Sequence, residues 1–131
     1  MFLSTLNIEQ QQAFLGLARL FVEADGQLAS QEKAMLEVMK AEMGLSEDIE
    51  VPTDNLPNLL KPFDSKPAKA AALLEIIGLG YSDNDFHPQE SILVKSMAED
   101  FNVSEDEILH MENWVLRQIM LVREATQFFE E

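Results

Sequence analysis

The side chains in this sequence best able to do chemistry are carboxylates grouped beside helix-breaking residues. Asp25-Gly26-Gln27-Leu28 is followed by Glu32, and Asp83-Asn84-Asp85-Phe86-His87-Pro88 by Glu90. Hard divalent cations take several oxygen ligands, and a turn leading into a helix can bring two or three carboxylates together. Asp25, Glu32, Asp83, Asp85 and Glu90 are therefore the candidate metal ligands, for weakly held magnesium or calcium, or for zinc with His87. A second account needs no ion. Asp25 and Asp83 can accept hydrogen bonds from the N–H groups of their own turns. Glu32 and Glu90 would satisfy free N–H groups in the first turn of the next helix and complement its dipole. Each such cap is worth about 0.5–2 kcal/mol. His87, just before Pro88, likewise fits a helix N-cap. The second segment opens Asp-x-Asp, as a calcium-binding EF-hand loop does. Counted from Asp83, however, the sixth residue is Pro88 and the twelfth is Val94, where that loop needs glycine and glutamate. This argues against a tight calcium sensor.

The elements that must position these residues read as helices. Ala13, Phe14, Leu17, Ala18, Leu20 and Phe21 recur at spacings of three and four, with Asn7 as a fitting N-cap. Asp25-Gly26 breaks that helix. The next carries Met35, Leu36, Met39 and Met43 on one face, a stripe read as ordinary core, and stops at Gly44 with Leu45 behind it. Four of the five prolines (Pro52, Pro57, Pro62, Pro67) fall between Glu50 and Pro67. They predict a connector with one short helical turn around Leu59. Ser65 starts a further helix with Pro67 in its first turn. Asp83-Asn84-Asp85 breaks this helix and Pro88 restarts it as far as Asn102. Ser104, with Glu107 three residues on, caps a last helix that runs almost to the C-terminus. No segment alternates polar and apolar residues, so an all-α fold is expected.

Composition narrows the classes. In 131 residues, 24 acidic side chains against 9 basic ones leave a net charge of −15, and 47% of residues are hydrophobic. One compact domain spanning 1–131 follows. Such a charge repels phosphate backbones and anionic lipid, so neither nucleic acid nor membrane insertion is expected; basic protein surfaces and cations are the natural partners. Without cysteine there are no disulfides or thiolate sites. No signal peptide or membrane-length apolar run is seen, which makes a cytoplasmic location the expectation. There is no Gly-x-Ser-x-Gly elbow, phosphate-cradling glycine loop or His-Glu-x-x-His. No catalytic residue is assigned, no cofactor beyond a weak cation, and the chain is read as a non-enzyme.

Sliding the sequence on itself by 58 residues reveals an internal repeat, about 8–50 over 66–108. Residues 25–32 lie over 83–90, Met39 over Met97, and Gly44-Leu45-Ser46-Glu47-Asp48 over Asn102-Val103-Ser104-Glu105-Asp106. Two pseudo-symmetric helical hairpins plus a long C-terminal helix are the bundle this predicts. Glu23-Ala24-Asp25-Gly26-Gln27-Leu28 followed by Glu32 resembles the ADG-x-I-x-x-x-E signature of TerB-like domains, the tellurite-resistance family. The resemblance covers most of the chain, with Asp83 and Glu90 as looser counterparts of Asp25 and Glu32. Ala29 stands where the family often has a capping serine, and Asn84 replaces the second glycine. The resemblance implies an all-helical domain with acidic inter-helix turns, proposed to bind a metal ion and linked to tellurite and chemical-stress responses.

The final helix is apolar on more than one face: Trp114, Val115, Leu116, Ile119, Met120, Leu121 and Val122. Such a helix is either central in a bundle or shared with a partner. Central packing is expected, with Trp114 and Leu121 almost wholly buried; a homodimer contact or a groove for a protein partner is the alternative. In that alternative the chain is a small helical adaptor and its acidic turns are purely structural.

Overall fold

The computed structural model describes residues 2–24, 29–81 and 88–130, apart from the side chains of 29–32. The chain is all-α, and no strand occurs among the described residues. After a 3-10 turn at Leu3–Thr5 come α1 (Ile8–Ala24), α2 (Ala29–Met43), the short α3 (Leu56–Leu60), α4 (Lys66–Tyr81), α5 (Pro88–Asp100) and α6 (Glu105–Thr126). A second 3-10 turn, Gln127–Phe129, continues α6.

Local chemistry sets the helix ends. The Asn7 Oδ1 accepts from the Gln10 N–H at 2.8 Å while Gln10 Oε1 accepts from the Asn7 N–H at 3.0 Å, a reciprocal cap on α1. Ser65 Oγ accepts from the Ala68 N–H at 3.3 Å and so caps α4. At the far ends, α2 and α5 stop at the two described residues with positive φ, Gly44 (72°) and Asn102 (58°). Behind each stop the N–H groups turn back onto the helix. Leu45 donates to the Lys40 carbonyl at 2.8 Å and Val103 to the Ala98 carbonyl at 2.8 Å, closing the helix with an apolar residue just beyond. The caps at 7 and 65 and the stops at 44 and 102 are both 58 residues apart, the offset of the sequence repeat. It diverges after Ser46. There the Asp48 N–H reaches Ser46 Oγ at 3.2 Å and only a turn forms, because Pro52 follows six residues later. Ser104 Oγ accepts from the Glu107 N–H at the same distance, no proline follows, and α6 runs for 22 residues.

One apolar core draws side chains from all six helices. Its centre is α1 and α4. Phe14, Leu15, Ala18 and Phe21 of α1 and Ala72, Leu73, Ile76 and Ile77 of α4 are fully buried. Helix α4 touches α1, α5 and α6, while α1 also holds α2 and α3. Small residues allow the closest approaches. At Gly16 an added Cβ would lie 2.7 Å from Leu59 Cδ2, so glycine is what lets α3 dock on α1. Met35 and Met39 are half-buried and Met43 buried, all part of or packed on this core.

The last helix departs from expectation. Trp114 is 36% exposed and Leu121 63%, and of α6 only Val115 is fully buried. The helix lies along α4, with Ile108, Met111, Val115 and Ile119 inward, and from Met120 onward every described residue is exposed. The central place goes to α4 instead. Between Ala70 and Tyr81, α4 carries one charge, Glu75, whereas charges are spread along α6 at Glu112, Arg117, Arg123 and Glu124. Fewer charges to keep wet make this part of α4 the cheaper helix to surround.

Candidate functional site

Of the sequence-predicted ligands, Glu90 is the one whose side chain is described. It sits in the first turn of α5, two residues after Pro88, and is 3% exposed. A carboxylate at that depth must be satisfied by partners, and Glu90 is not without one. Its position is that of a helix-opening acid facing inward, directly after the acidic segment 83–87. Asp25, Asp83, Asp85 and His87 lie outside the described residues, as does the side chain of Glu32. Among the described residues no three His, Asp or Glu side chains converge on a point that could hold a metal ion. His110 is exposed on α6.

Other buried polar groups have structural work. The Gln10 amide donates to the Pro62 carbonyl at 3.1 Å and the Gln11 amide to the Leu3 carbonyl at 3.1 Å. Both tie connectors to α1. The Lys40 ammonium donates to the Glu47 carbonyl at 3.2 Å and fastens the loop behind α2. The Phe2 N–H donates to Glu75 Oε1 at 2.7 Å, while the Phe2 ring packs on Trp114 with centroids 5.7 Å apart, so the N-terminal residues bridge α4 and α6. Among the described buried side chains, no nitrogen or oxygen lacks a partner. The Asp54 carboxyl and the Tyr81 phenol are perturbed. The Asn58 amide and the Asn55 N–H, both donating to Asp54, hold its carboxyl below the usual range, which serves the start of α3. Burial, reinforced by the Glu112 charge, pushes the Tyr81 phenol up.

Two concave surfaces adjoin α6. A groove of about 440 Å³ runs between α5 and the first half of α6. Its floor is apolar, with Val94, Ala98, Val103, Ile108 and Leu109, and its rim carries Glu99, Glu105, Asp106 and Glu112 against the single cation Lys95. Across α6, a smaller recess of about 320 Å³ is flanked by Lys66, Lys69 and Glu107, with the Lys69 ammonium 5.8 Å from the Phe101 ring centre. The groove went unseen in the sequence, because it needs α5 and α6 side by side; a spacing pattern within one segment carries no sign of it. The second half of α6 reads in the sequence as centrally packed, from apolar residues on more than one face, and the structure leaves it exposed instead.

Fold and surface define an all-helical module that offers an apolar, acid-rimmed groove and a bare helix end. No described helix is long and apolar enough to cross a membrane. No family model matches the chain, and neither the curated proteins nor the solved structures contain a significant match to it.

Proposed function

We propose that this chain is a non-catalytic, cytoplasmic TerB-like module of the stress-associated, tellurite-resistance type. It acts by binding a divalent cation or a partner protein through the acidic segments 25–32 and 83–90. The observation that carries this reading is the 58-residue recurrence of cap, helix, acidic segment, helix and left-handed stop, with the signature-like residues at the same place in each copy. Two copies so patterned would carry their carboxylate groups at corresponding breaks between helices in the sequence. The buried Glu90 supports it further, since a carboxylate held inward in the first turn of α5 is an oxygen ligand close in sequence to Asp83 and Asp85. With a net charge of −15, clustered carboxylates repel unless a cation or backbone N–H groups stand between them.

Calorimetric titration with calcium, magnesium and zinc tests the reading. Heat is expected with at least one metal, and Asp83→Asn with Asp85→Asn should remove it while helical circular dichroism stays unchanged. Glu90 is left alone because its burial makes its loss structural. No heat at millimolar metal would return both segments to helix capping. The exposed apolar surface of α6 favours a second reading, a helical adaptor whose docking face is that surface and whose acidic segments are purely structural.

A further inference from the structure

The groove between α5 and α6 lies between two helices that both rest on α4. Val94 and Ala98 of α5 and Ile108 and Leu109 of α6 give it an apolar floor, and four carboxylates stand around it against one cation, Lys95. Helix chemistry accounts for two of those acids. Glu105 and Asp106 lie in the first turn of α6, where the dipole favours negative charge. Glu99 and Glu112 have no such place. Glu99 sits in the last turn of α5, at the negative end of its dipole, and no basic residue accompanies it there. Glu112 lies beyond the first turn of α6, where its charge disfavours ionisation of Tyr81. Among the described residues, none of the four carboxylates accepts a hydrogen bond or pairs with a cation. Like charge is thus gathered around an apolar floor on a chain of −15, an arrangement that self-repulsion disfavours in the free protein. A ligand that answers both features brings cations and an apolar face together.

The shape of the groove selects the form of that ligand. Its lining runs from Ser91 to Glu99 on α5 and from Glu105 to Glu112 on α6, about two helical turns or roughly 10–12 Å on each. No strand occurs among the described residues, so there is no sheet edge here for an extended peptide to join. An amphipathic helix suits the space. Over two turns its apolar side chains at i, i+3, i+4 and i+7 reach the floor, while cations on its flanks meet Glu99 on one wall and Glu105 and Glu112 on the other. This chain cannot supply such a helix to itself or to a second copy, because none of its own helices carries more than two lysines or arginines. We infer that the α5/α6 groove is the docking site for a basic amphipathic helix of a different protein. The net charge of −15 steers such a partner toward this chain, and the floor then holds it. The site uses neither Glu90 nor the acidic segments 25–32 and 83–90, so it is independent of whether those bind metal.

The probe is a dye-labelled synthetic helix of about 16 residues, with leucine at i, i+3, i+4 and i+7 and arginine along both flanks. Titrated with the intact chain at about 0.15 M salt and followed by fluorescence anisotropy, it should bind with a Kd of about 10–100 µM. The same peptide with glutamine for leucine should bind at least about tenfold more weakly, and with glutamate for arginine not at all. Leu109→Asn, at an exposed position on the floor, should weaken binding about tenfold with unchanged circular dichroism. The decisive arm separates the groove from the overall charge. Glu99→Gln with Glu112→Gln should weaken binding about fivefold or more. Glu37→Gln with Glu47→Gln, which removes the same charge at exposed positions outside the groove, should change it less than about twofold. No binding up to about 1 mM chain would overturn the inference. So would equal binding of the glutamine-for-leucine peptide, equal effects of the two double variants, or wild-type affinity in Leu109→Asn, each of which reduces the contact to attraction between net charges.

Discussion

Replacing Gly16 with alanine sets two opposing effects against each other, and the structure decides which wins. Glycine inside a helix costs about 0.5–1 kcal/mol relative to alanine, so on helix propensity alone the substitution stabilises α1. The added Cβ, however, would stand 2.7 Å from Leu59 Cδ2, 3.2 Å from Leu59 Cδ1 and 3.1 Å from the Pro52 carbonyl oxygen. A real Cβ does not approach a methyl carbon that closely, so something must move. Leu59 is buried at 3% exposure and has little room to turn, while the Pro52 oxygen belongs to the backbone. Overpacking of this kind costs about 1–3 kcal/mol. The net expectation is a loss of roughly 0.5–2 kcal/mol, read as a lower urea midpoint with an unchanged slope. Leu59→Ala in the same background tests the mechanism. That substitution alone should cost about 2–5 kcal/mol, but less when Gly16→Ala is present, since the new methyl occupies part of the cavity. A Gly16→Ala protein as stable as the wild type or more so, or full additivity with Leu59→Ala, would refute the close approach of α3 to α1.

Gly44→Ala should cost about 1–2 kcal/mol by thermal or urea melting. Nothing lies within 4 Å of the new Cβ, so the loss comes from its φ of 72° alone. Ile76→Ala, at the fully buried centre of α4, should cost about 2–5 kcal/mol, whereas Ile92→Ala, 56% exposed on α5, should stay within about 0.5 kcal/mol by the same melts. The Tyr81 phenol, raised first by burial and then by the Glu112 charge, should titrate above its ordinary value in ultraviolet absorbance, and Glu112→Gln should lower the midpoint. Because the folded state holds this proton more tightly, Tyr81 contributes stability below its unfolded pKa that is lost as pH rises through the folded one. Asp54 has the opposite sign. Its carboxyl is held down by Asn58 and Asn55, so its contribution is present above the unfolded pKa and fades as pH falls through the lower folded value, with Asp54→Asn flattening the acid limb of a stability profile.

The sequence by itself determined the helical class and nearly every helix end, because those depend on neighbours within a few residues. Asn7, Ser65 and Ser104 cap through their own side chains, Gly44 and Asn102 adopt the left-handed turn, and the prolines of 52–62 confine helix there to Leu56–Leu60. What only the tertiary structure decided is which apolar helix lies at the centre. Both α4 and α6 are apolar on several sides, and periodicity cannot rank two such helices. The choice went to α4, where between Ala70 and Tyr81 one charge needs water, and α6 was left against it with its last turns bare. The groove between α5 and α6 is a product of that choice. Its floor combines residues 94 and 98 with 103, 108 and 109, which become neighbours only when two helices pack side by side.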